Sequence, residues 1–386
     1  MSRNESSFDS ASFRRPANRW LGAASERLAP VLRGAARGLA GASTPPGEWR
    51  RGLILSHNHM GDVLYRTCSL PVLRSGLPGC EWSFLTSPAS AEVLETNPAL
   101  HEVLPWNTGE NSWSLAPGSF DKLRKRNFDV ALCTNSLKYY PDLFLAAALR
   151  IPNRVAFTHK GLSGLVTYPV TIDFPGSYPS YFRSMVASVT GVDTGWPLKP
   201  RIFPDARAEE AATATWRRMN GDSKDPVVAC CITTRQKIGN FPAERLLDVL
   251  AEVQSQLPIR VILFGTLHDQ GTLSRAASRL GEKASYLAGD LSIPALASFL
   301  AKCRMVLTLD SGPRHLGNAA GVPVFFARNM SYSQAEAGAY CATETDICPP
   351  GEYLTDEEIA VIAQQMSPRV IADELCASIR GGVLPA

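Results

Sequence analysis

The sequence predicts an α/β protein made of two Rossmann-like halves, each a parallel sheet covered by helices on both faces. Three observations carry this. Strand-like apolar runs and helical patterns alternate in the first part of the chain, the rhythm restarts in the second, and Pro/Gly-rich stretches separate the two series. The 386 residues suffice for two domains of ordinary size. A hydrophobic fraction of 45% and a charged fraction of 19% are those of a globular chain.

Residues 1–48 read as a basic arm. The first 18 residues are rich in Ser, Arg and Asn, a composition that does not fold by itself. From Trp20 to Leu39, apolar Trp20, Leu21, Leu28, Val31, Leu32 and Leu39 alternate with Arg27, Arg33 and Arg37. Such a segment (residues 20–39) suits the surface of an anionic membrane, or a helix packed on the body. Pro30, Gly34 and Gly38 weaken it as a helix. Thr44-Pro45-Pro46-Gly47 then breaks the chain before the first strand.

The first domain, 49–204, carries strand-like runs at Leu53–Ser56, Trp82–Thr86, Glu102–Pro105, Val130–Thr134 and Arg154–Thr158. Helical patterns fall between them at Val63–Arg74, Ala89–Thr96, Gly118–Arg126 and Pro141–Leu149. Pro/Gly-rich stretches at Tyr168–Tyr181 and Gly191–Pro204 interrupt the pattern. A charged helix, Asp205–Arg218, opens the second domain, 205–355. Its strands are expected at Val227–Thr233, Arg260–Phe264, Ala284–Leu287, Met305–Thr308 and Val322–Phe326. Its helices are expected at Pro242–Gln256, Gln270–Leu280, Ile293–Lys302 and Pro313–Ala320. Two closing helices, Thr355–Met366 and Arg369–Ile379, make up 356–386, placed to cross back to the first domain. Two such halves leave a cleft between their strand ends, where ligands of these sheets bind.

Composition removes several classes. No apolar run reaches the roughly 18 residues that span a bilayer, and the start of the chain lacks the apolar core of a secretory signal. The nine cysteines contain no C-x-x-C pair, which points to a reducing compartment rather than a disulfide framework or zinc site. Residues 1–51 hold nine Arg and four acids, so the remaining body is nearly neutral and offers no basic face for nucleic acid. No G-x-G-x-x-G or Walker loop follows any strand, which disfavours a Rossmann dehydrogenase.

Chemistry collects in three places. His59-Met60-Gly61-Asp62 lies between the first strand and a helix, so Asp62 is placed as a base or as the cap of that helix. Gly61 would let another molecule approach the backbone, and His57 and His59 flank the carboxylate. Thr233-Thr234-Arg235-Gln236-Lys237 puts two hydroxyls and two cations after a buried strand, which suits an oxyanion such as a diphosphate or simply a solvated loop. Asp310-Ser311-Gly312-Pro313-Arg314-His315 is again strand, turn and helix. The free N–H groups of that helix, with Ser311, Arg314 and His315, make an anion site. Asp269, at the end of the Arg260–Phe264 strand, stands where nucleotide folds keep a ribose-binding acid.

Together these segments resemble glycosyltransferase family 9, the lipopolysaccharide heptosyltransferases of GT-B architecture. Met60-Gly61-Asp62-Val63-Leu64 with Pro71-Val72-Leu73-Arg74 resembles the family's G-D-V-L…P-x-L-R opening, and Thr233-Thr234-Arg235 its T-T-R loop. Asp310-Ser311-Gly312-Pro313-Arg314-His315-Leu316, followed by Ala319-Ala320-Gly321-Val322-Pro323, resembles its D-T-G-x-x-H-L…A-x-G-x-P pattern. The resemblance implies an inverting transfer of heptose or a similar sugar from a nucleotide-diphosphate donor to a saccharide or lipid-linked acceptor, with no metal or other cofactor. It implies Asp62 as catalytic base. It implies donor diphosphate contacts from Thr233, Thr234, Arg235, Lys237, Ser311, Gly312, Arg314 and His315, with Asp310 near the donor sugar and Asp269 near the ribose. The acceptor is expected in the first domain, with His57, His59 and Gly61 as contacts, and the setting is cytoplasmic, at the inner face of the membrane.

The sequence departs from the family pattern in three places. Lys237 lies four residues before Phe241-Pro242 instead of two before the aromatic, so Arg235 competes with it as the phosphate cation. Arg314 replaces a smaller residue, and Ala327-Arg328-Asn329 replaces Gly and Thr, which leaves the donor's base and sugar open. A catalytically silent nucleotide-sugar- or glycan-binding protein of the same fold is the alternative. A sugar-nucleotide epimerase would need further carboxylates that the sequence does not place.

Overall fold

A computed structural model describes residues 30–31, 34, 42–56, 59–106, 119–134, 141–157, 162–171, 176–236 and 239–381. The chain divides into two compact units, and each holds one six-stranded parallel sheet.

The first unit contains β1 (Arg51–Leu55), β2 (Glu81–Thr86), β3 (Glu102–Pro105), β4 (Val130–Cys133), β5 (Asn153–Phe157) and β6 (Tyr168–Val170). Their order is β3-β2-β1-β4-β5-β6, all parallel. The helices of this part of the chain are α1 (Met60–Arg66), α2 (Leu70–Gly76), α3 (Pro88–Ala91), α4 (Ser119–Arg124), α5 (Pro141–Ala148) and α6 (Tyr178–Thr190). One core cluster gathers Leu53, Leu55, Leu85, Ala131, Cys133 and Leu149.

Two differences from the sequence reading matter here. The single helix expected over Val63–Arg74 is two helices. Pro71 occupies the first turn of α2, where its missing N–H costs nothing. Further along a helix it would remove a bond, so a new helix starts there and α1 ends at Arg66. Strand β6 and helix α6 lie in or begin within a stretch read as irregular. Pro169 is tolerated because β6 is the sheet edge, and Pro179 because it sits in the first turn of α6.

The second unit takes in Met60–Cys68 and Glu92–Thr96 besides Pro197–Ala386. Thus α1, contiguous in sequence with β1, packs with the second sheet. Asp205 caps α7 (Ala206–Asn220), accepting from the amide of Ala208 at 2.8 Å. Then follow β7 (Val227–Cys231), α8 (Ala243–Gln256), β8 (Arg260–Gly265), α9 (Gln270–Leu280), β9 (Ala284–Ala288), α10 (Ile293–Leu300), β10 (Met305–Leu309), α11 (Gly312–Ala320), β11 (Val324–Ala327), α12 (Gln334–Ala337) and β12 (Glu344–Asp346). The order β9-β8-β7-β10-β11-β12 repeats that of the first sheet. Edge strand β12 has no apolar alternation to announce it.

The closing helices are α13 (Asp356–Gln365) and α14 (Pro368–Gly381). They belong to the second unit. Ile359, Ala363, Ile371, Leu375 and Ile379 enter its core beside Leu246, Leu250 and Val253 of α8. Two arginines cap their carbonyl ends. Arg245 donates to Ala363 O (3.0 Å) and Met366 O (2.6 Å), and Arg304 donates to Ser378 O (3.1 Å) and Ile379 O (2.7 Å). All nine cysteines are free thiols, and eight are buried, where they behave as small apolar groups. Among the described residues no helix is long and apolar enough to cross a membrane. The segment 20–39 lies outside the described residues apart from 30, 31 and 34.

Candidate active site

In the second sheet β7 and β10 are neighbours, with Cys231 opposite Thr308. This is where the strand order reverses, the point at which the chain leaves successive strands toward opposite sides and opens a crevice at their carboxyl ends. The loop after β7 (Thr233–Arg235) and the turn after β10 (Asp310–Gly312) therefore emerge side by side. The exits of β8 and β11 flank them.

Thr233 and Thr234 are half-buried and Arg235 is exposed. Thr234 Oγ1 accepts from the amide of Gln236 at 3.2 Å, and Gln236 Nε2 donates to Tyr332 at 3.2 Å. Lys237 and His57 lie outside the described residues. Gly239 has a left-handed φ of +78°, and a Cβ there would collide with Asn329 and Ser331. This loop thus needs glycine to sit against the exit of β11. At that exit Arg328 is fully buried. It donates to Asp346 (2.7 Å), Gly351 O (2.7 Å) and Pro349 O (2.9 Å), so it pins the segment after β12.

Asp269 closes a capping box. Its Oδ2 accepts from Thr266 N (2.8 Å) and Thr266 Oγ1 (2.7 Å). This holds the turn after β8 in place and commits one carboxylate oxygen locally.

The turn after β10 corrects one expectation. Arg314 is 2% exposed, and its guanidinium lies 3.6 Å from the centre of the Phe326 ring. All five of its N–H donors are used. Nε donates to Glu344 Oε1 (2.6 Å). Nη1 donates to Asp310 Oδ1 (2.8 Å) and Ala337 O (2.7 Å). Nη2 donates to Gly338 O (2.6 Å) and Glu344 Oε2 (3.0 Å). With five donors in total, Arg314 has none for a diphosphate and is a structural clamp. Burial alone would lower its pKa, but Glu344 and Asp310 outweigh that and raise it. Burial would likewise raise Glu344, and Arg314 reverses it.

The protonation of His315 is set by its neighbours. Glu344 Oε1 accepts from Asn318 Nδ2 at 2.6 Å, which fixes the amide with Oδ1 toward Thr343 Oγ1 (3.0 Å). Asn318 Nδ2 also donates to Tyr340 Oη at 3.3 Å, so that hydroxyl donates its own proton to His315 Nδ1 at 2.6 Å. The imidazole proton is thereby assigned to Nε2. Burial first, then the Arg314 charge, lowers the His315 pKa to about 4. His315 is a neutral donor at neutral pH.

Helix α1 packs on α11 through two glycines. A Cβ on Gly61 would lie 2.8 Å from His315 Cδ2 and 3.3 Å from the Gly312 Cα, and a Cβ on Gly312 would strike the end of the Met60 side chain. The group that approaches Gly61 is thus the His315 ring. Gly61 is buried and is corrected from an acceptor contact to a packing residue. Asp62 is the third residue of α1, inside its first turn, so it does not cap the helix. It is partly exposed, and its Oδ1 accepts from Tyr65 Oη at 2.8 Å. The Tyr65 ring stands edge-on to His315 at 5.6 Å. His59 is exposed just before the helix. Asp62, His315, Asp310 and Ser311 are thus gathered in one unit. Tyr65, which holds Asp62, and Asn318, Tyr340 and Glu344, which together fix His315, were not singled out in the sequence: Tyr340 and Glu344 sit 25 or more residues from the β10 turn with no motif around them. Among the described residues no three His, Cys, Asp or Glu side chains gather as metal ligands.

Two six-stranded parallel sheets with covering helices define an α/β protein of GT-B architecture. The sequence profile of glycosyltransferase family 9 (heptosyltransferase) matches residues 119–325, more than half of the chain, and the protein belongs to that family. No curated protein matches the sequence at a significant level. Among solved structures, the E. coli ADP-heptose LPS heptosyltransferase II is similar at a TM-score of 0.67 and 16% identity, over 86% of this chain and 99% of that one. E. coli heptosyltransferase WaaC with ADP gives 0.65 and 17%, over 85% and 99%. A family 9 glycosyltransferase from Veillonella parvula DSM 2008 gives 0.67 and 19%, over 78% and 86%. At these identities the likeness speaks to the fold.

Proposed function

We propose that the protein is an inverting glycosyltransferase that moves heptose or a similar sugar from a nucleotide-diphosphate donor to a hydroxyl of a saccharide or lipid-linked acceptor. The observation that carries this is Asp62, a partly exposed carboxylate held by a hydrogen bond beside the start of α11. Asp62 takes the proton of the acceptor hydroxyl as its oxygen bonds to the anomeric carbon from the face opposite the leaving group. The bond from that carbon to the diphosphate oxygen breaks and the diphosphate departs as an anion, needing no protonating acid.

The second unit takes the donor. Thr233, Thr234, Arg235 and the first amides of α11, with Ser311, receive the growing charge without a metal ion. Asp310 faces the donor sugar through the oxygen that Arg314 leaves, and Asp269 serves the ribose. The E. coli structures carrying ADP and ADP-2-deoxy-2-fluoro heptose support an adenine nucleotide as the first donor to try. The working place is the cytoplasmic face of the inner membrane, with residues 20–39 as the contact.

Two measurements test this. In a thermal-shift panel of ADP-, UDP-, GDP- and dTDP-sugars, one nucleotide series should raise the melting temperature. Asp62→Ala should abolish transfer from that donor and leave the shift intact, because the base touches only the acceptor. Parental turnover in Asp62→Ala would remove the mechanism.

A further inference from the structure

A carboxylate acting as a base has to present one oxygen within hydrogen-bond reach of the proton it takes. Asp62 has two side-chain torsions, and a partly exposed aspartate samples several rotamers unless something holds it. On α1 something does. Tyr65, one turn later, is 6% exposed, and its hydroxyl donates to Asp62 Oδ1 at 2.8 Å. Such a bond to a charged acceptor is stronger than a neutral one.

The Tyr65 ring is itself locked. His315 meets it edge-on at 5.6 Å, and the Arg66 guanidinium lies 5.0 Å from its centre. Arg66 Nη1 reaches back to the Asp62 carbonyl at 2.5 Å. Asp62, Tyr65 and Arg66 therefore brace one another along one helix, and His315 closes the far side as a neutral ring.

We propose that Tyr65 is a positioning residue: its hydroxyl holds Oδ1 of Asp62, so that Oδ2 is the oxygen that takes the acceptor proton. This rests on the reading of Asp62 as the base. Burial, with Asp62 beside it, raises the Tyr65 pKa well above that of a free tyrosine. The hydroxyl therefore stays a donor and does not compete for the proton.

The test has a structural arm and a kinetic arm. Crystal structures of the parent protein and of Tyr65→Phe, which keeps the ring and loses only the hydroxyl, should show the Asp62 carboxylate turned to other rotamers. ADP release from ADP-heptose should fall about tenfold or more in kcat, with the KM for donor within roughly twofold. An Asp62 carboxylate that keeps its place, or parental turnover in Tyr65→Phe, overturns the inference. Parental turnover in Asp62→Asn sinks the base reading itself, and the inference with it, even where the carboxylate has moved. Should Tyr65→Phe fail to fold, 3-fluorotyrosine introduced at this position keeps the shape and makes the hydroxyl a stronger donor. Unchanged kcat there overturns the inference, and altered kcat at constant KM supports it.

Discussion

At the scale of single residues, the polar groups around α11 owe their states to one buried ion pair. Glu344 and Arg314 neutralise each other, and breaking such a pair by removing one partner typically costs about 3–5 kcal/mol. The same Glu344 sets the Asn318 amide, which sets Tyr340, which sets the His315 tautomer. A pH dependence follows. The His315 pKa drops from its ordinary 6.5 to about 4, so between these values the unfolded chain binds more protons than the folded one, and stability rises with pH. The contribution is complete above about pH 6.5 and is lost as pH falls toward 4. Melting temperatures between pH 7 and 4 should decline less steeply in His315→Gln than in the parent; an identical slope would contradict this reading.

This network also shows where sequence reasoning stops. The placement of Asp310, Ser311 and His315 at a strand–turn–helix joint was legible because a buried strand, a glycine turn and a helix start occupy consecutive positions. Arg314 was legible as a charge but not as a clamp, since its partners other than Asp310 lie in residues 337–344 and only the fold brings them to it. Tyr65 had no signal beyond helical spacing from Asp62.

At the scale of elements, the contact between α1 and α11 depends on the absence of two side chains. Gly61→Ala places a methyl 2.8 Å from the His315 ring and 3.3 Å from the backbone of Gly312. The ring can shift by tenths of an ångström, but the backbone behind it cannot do so freely. Overpacking of this kind costs about 1–3 kcal/mol. Chemical denaturation should show a loss in that range, and transfer should weaken because α1 carries Asp62; unchanged stability would mean the helices part without cost. The break between α1 and α2 was missed because the apolar spacing continues through it. Pro71 held the information, being easier to place in a first helical turn than in a helix interior. Strands β6 and β12 were missed for the opposite reason: short edge strands need little apolar content.

At the scale of the whole molecule, the two sheets share one strand order, and their core strands were legible almost to the residue. Short buried runs such as Met305–Thr308 and Val130–Thr134 stand between clear helical patterns. The closing helices were found, but not where they go. They lie on the second sheet because Arg245 and Arg304 cap them and because Ile371, Leu375 and Ile379 complete its core. Truncation after Gln365 should therefore expose the apolar face of α8 and render the protein insoluble, as read by soluble yield. A soluble truncated protein with the parental melting temperature would show that α14 contributes nothing to that core.

The assignment of Met60–Cys68 to the second unit bears on how family members can be recombined. A chimera that exchanges the first sheet as one block, residues 49–196, inherits Asp62 and Tyr65 from one parent and His315, Tyr340 and Glu344 from the other. Its splice would run through the α1–α11 contact, where Gly61 and His315 must fit each other. The second unit can be transplanted with this contact intact only if the nine residues from Met60 to Cys68 travel with the second sheet, so a graft of this kind needs its crossovers on either side of α1.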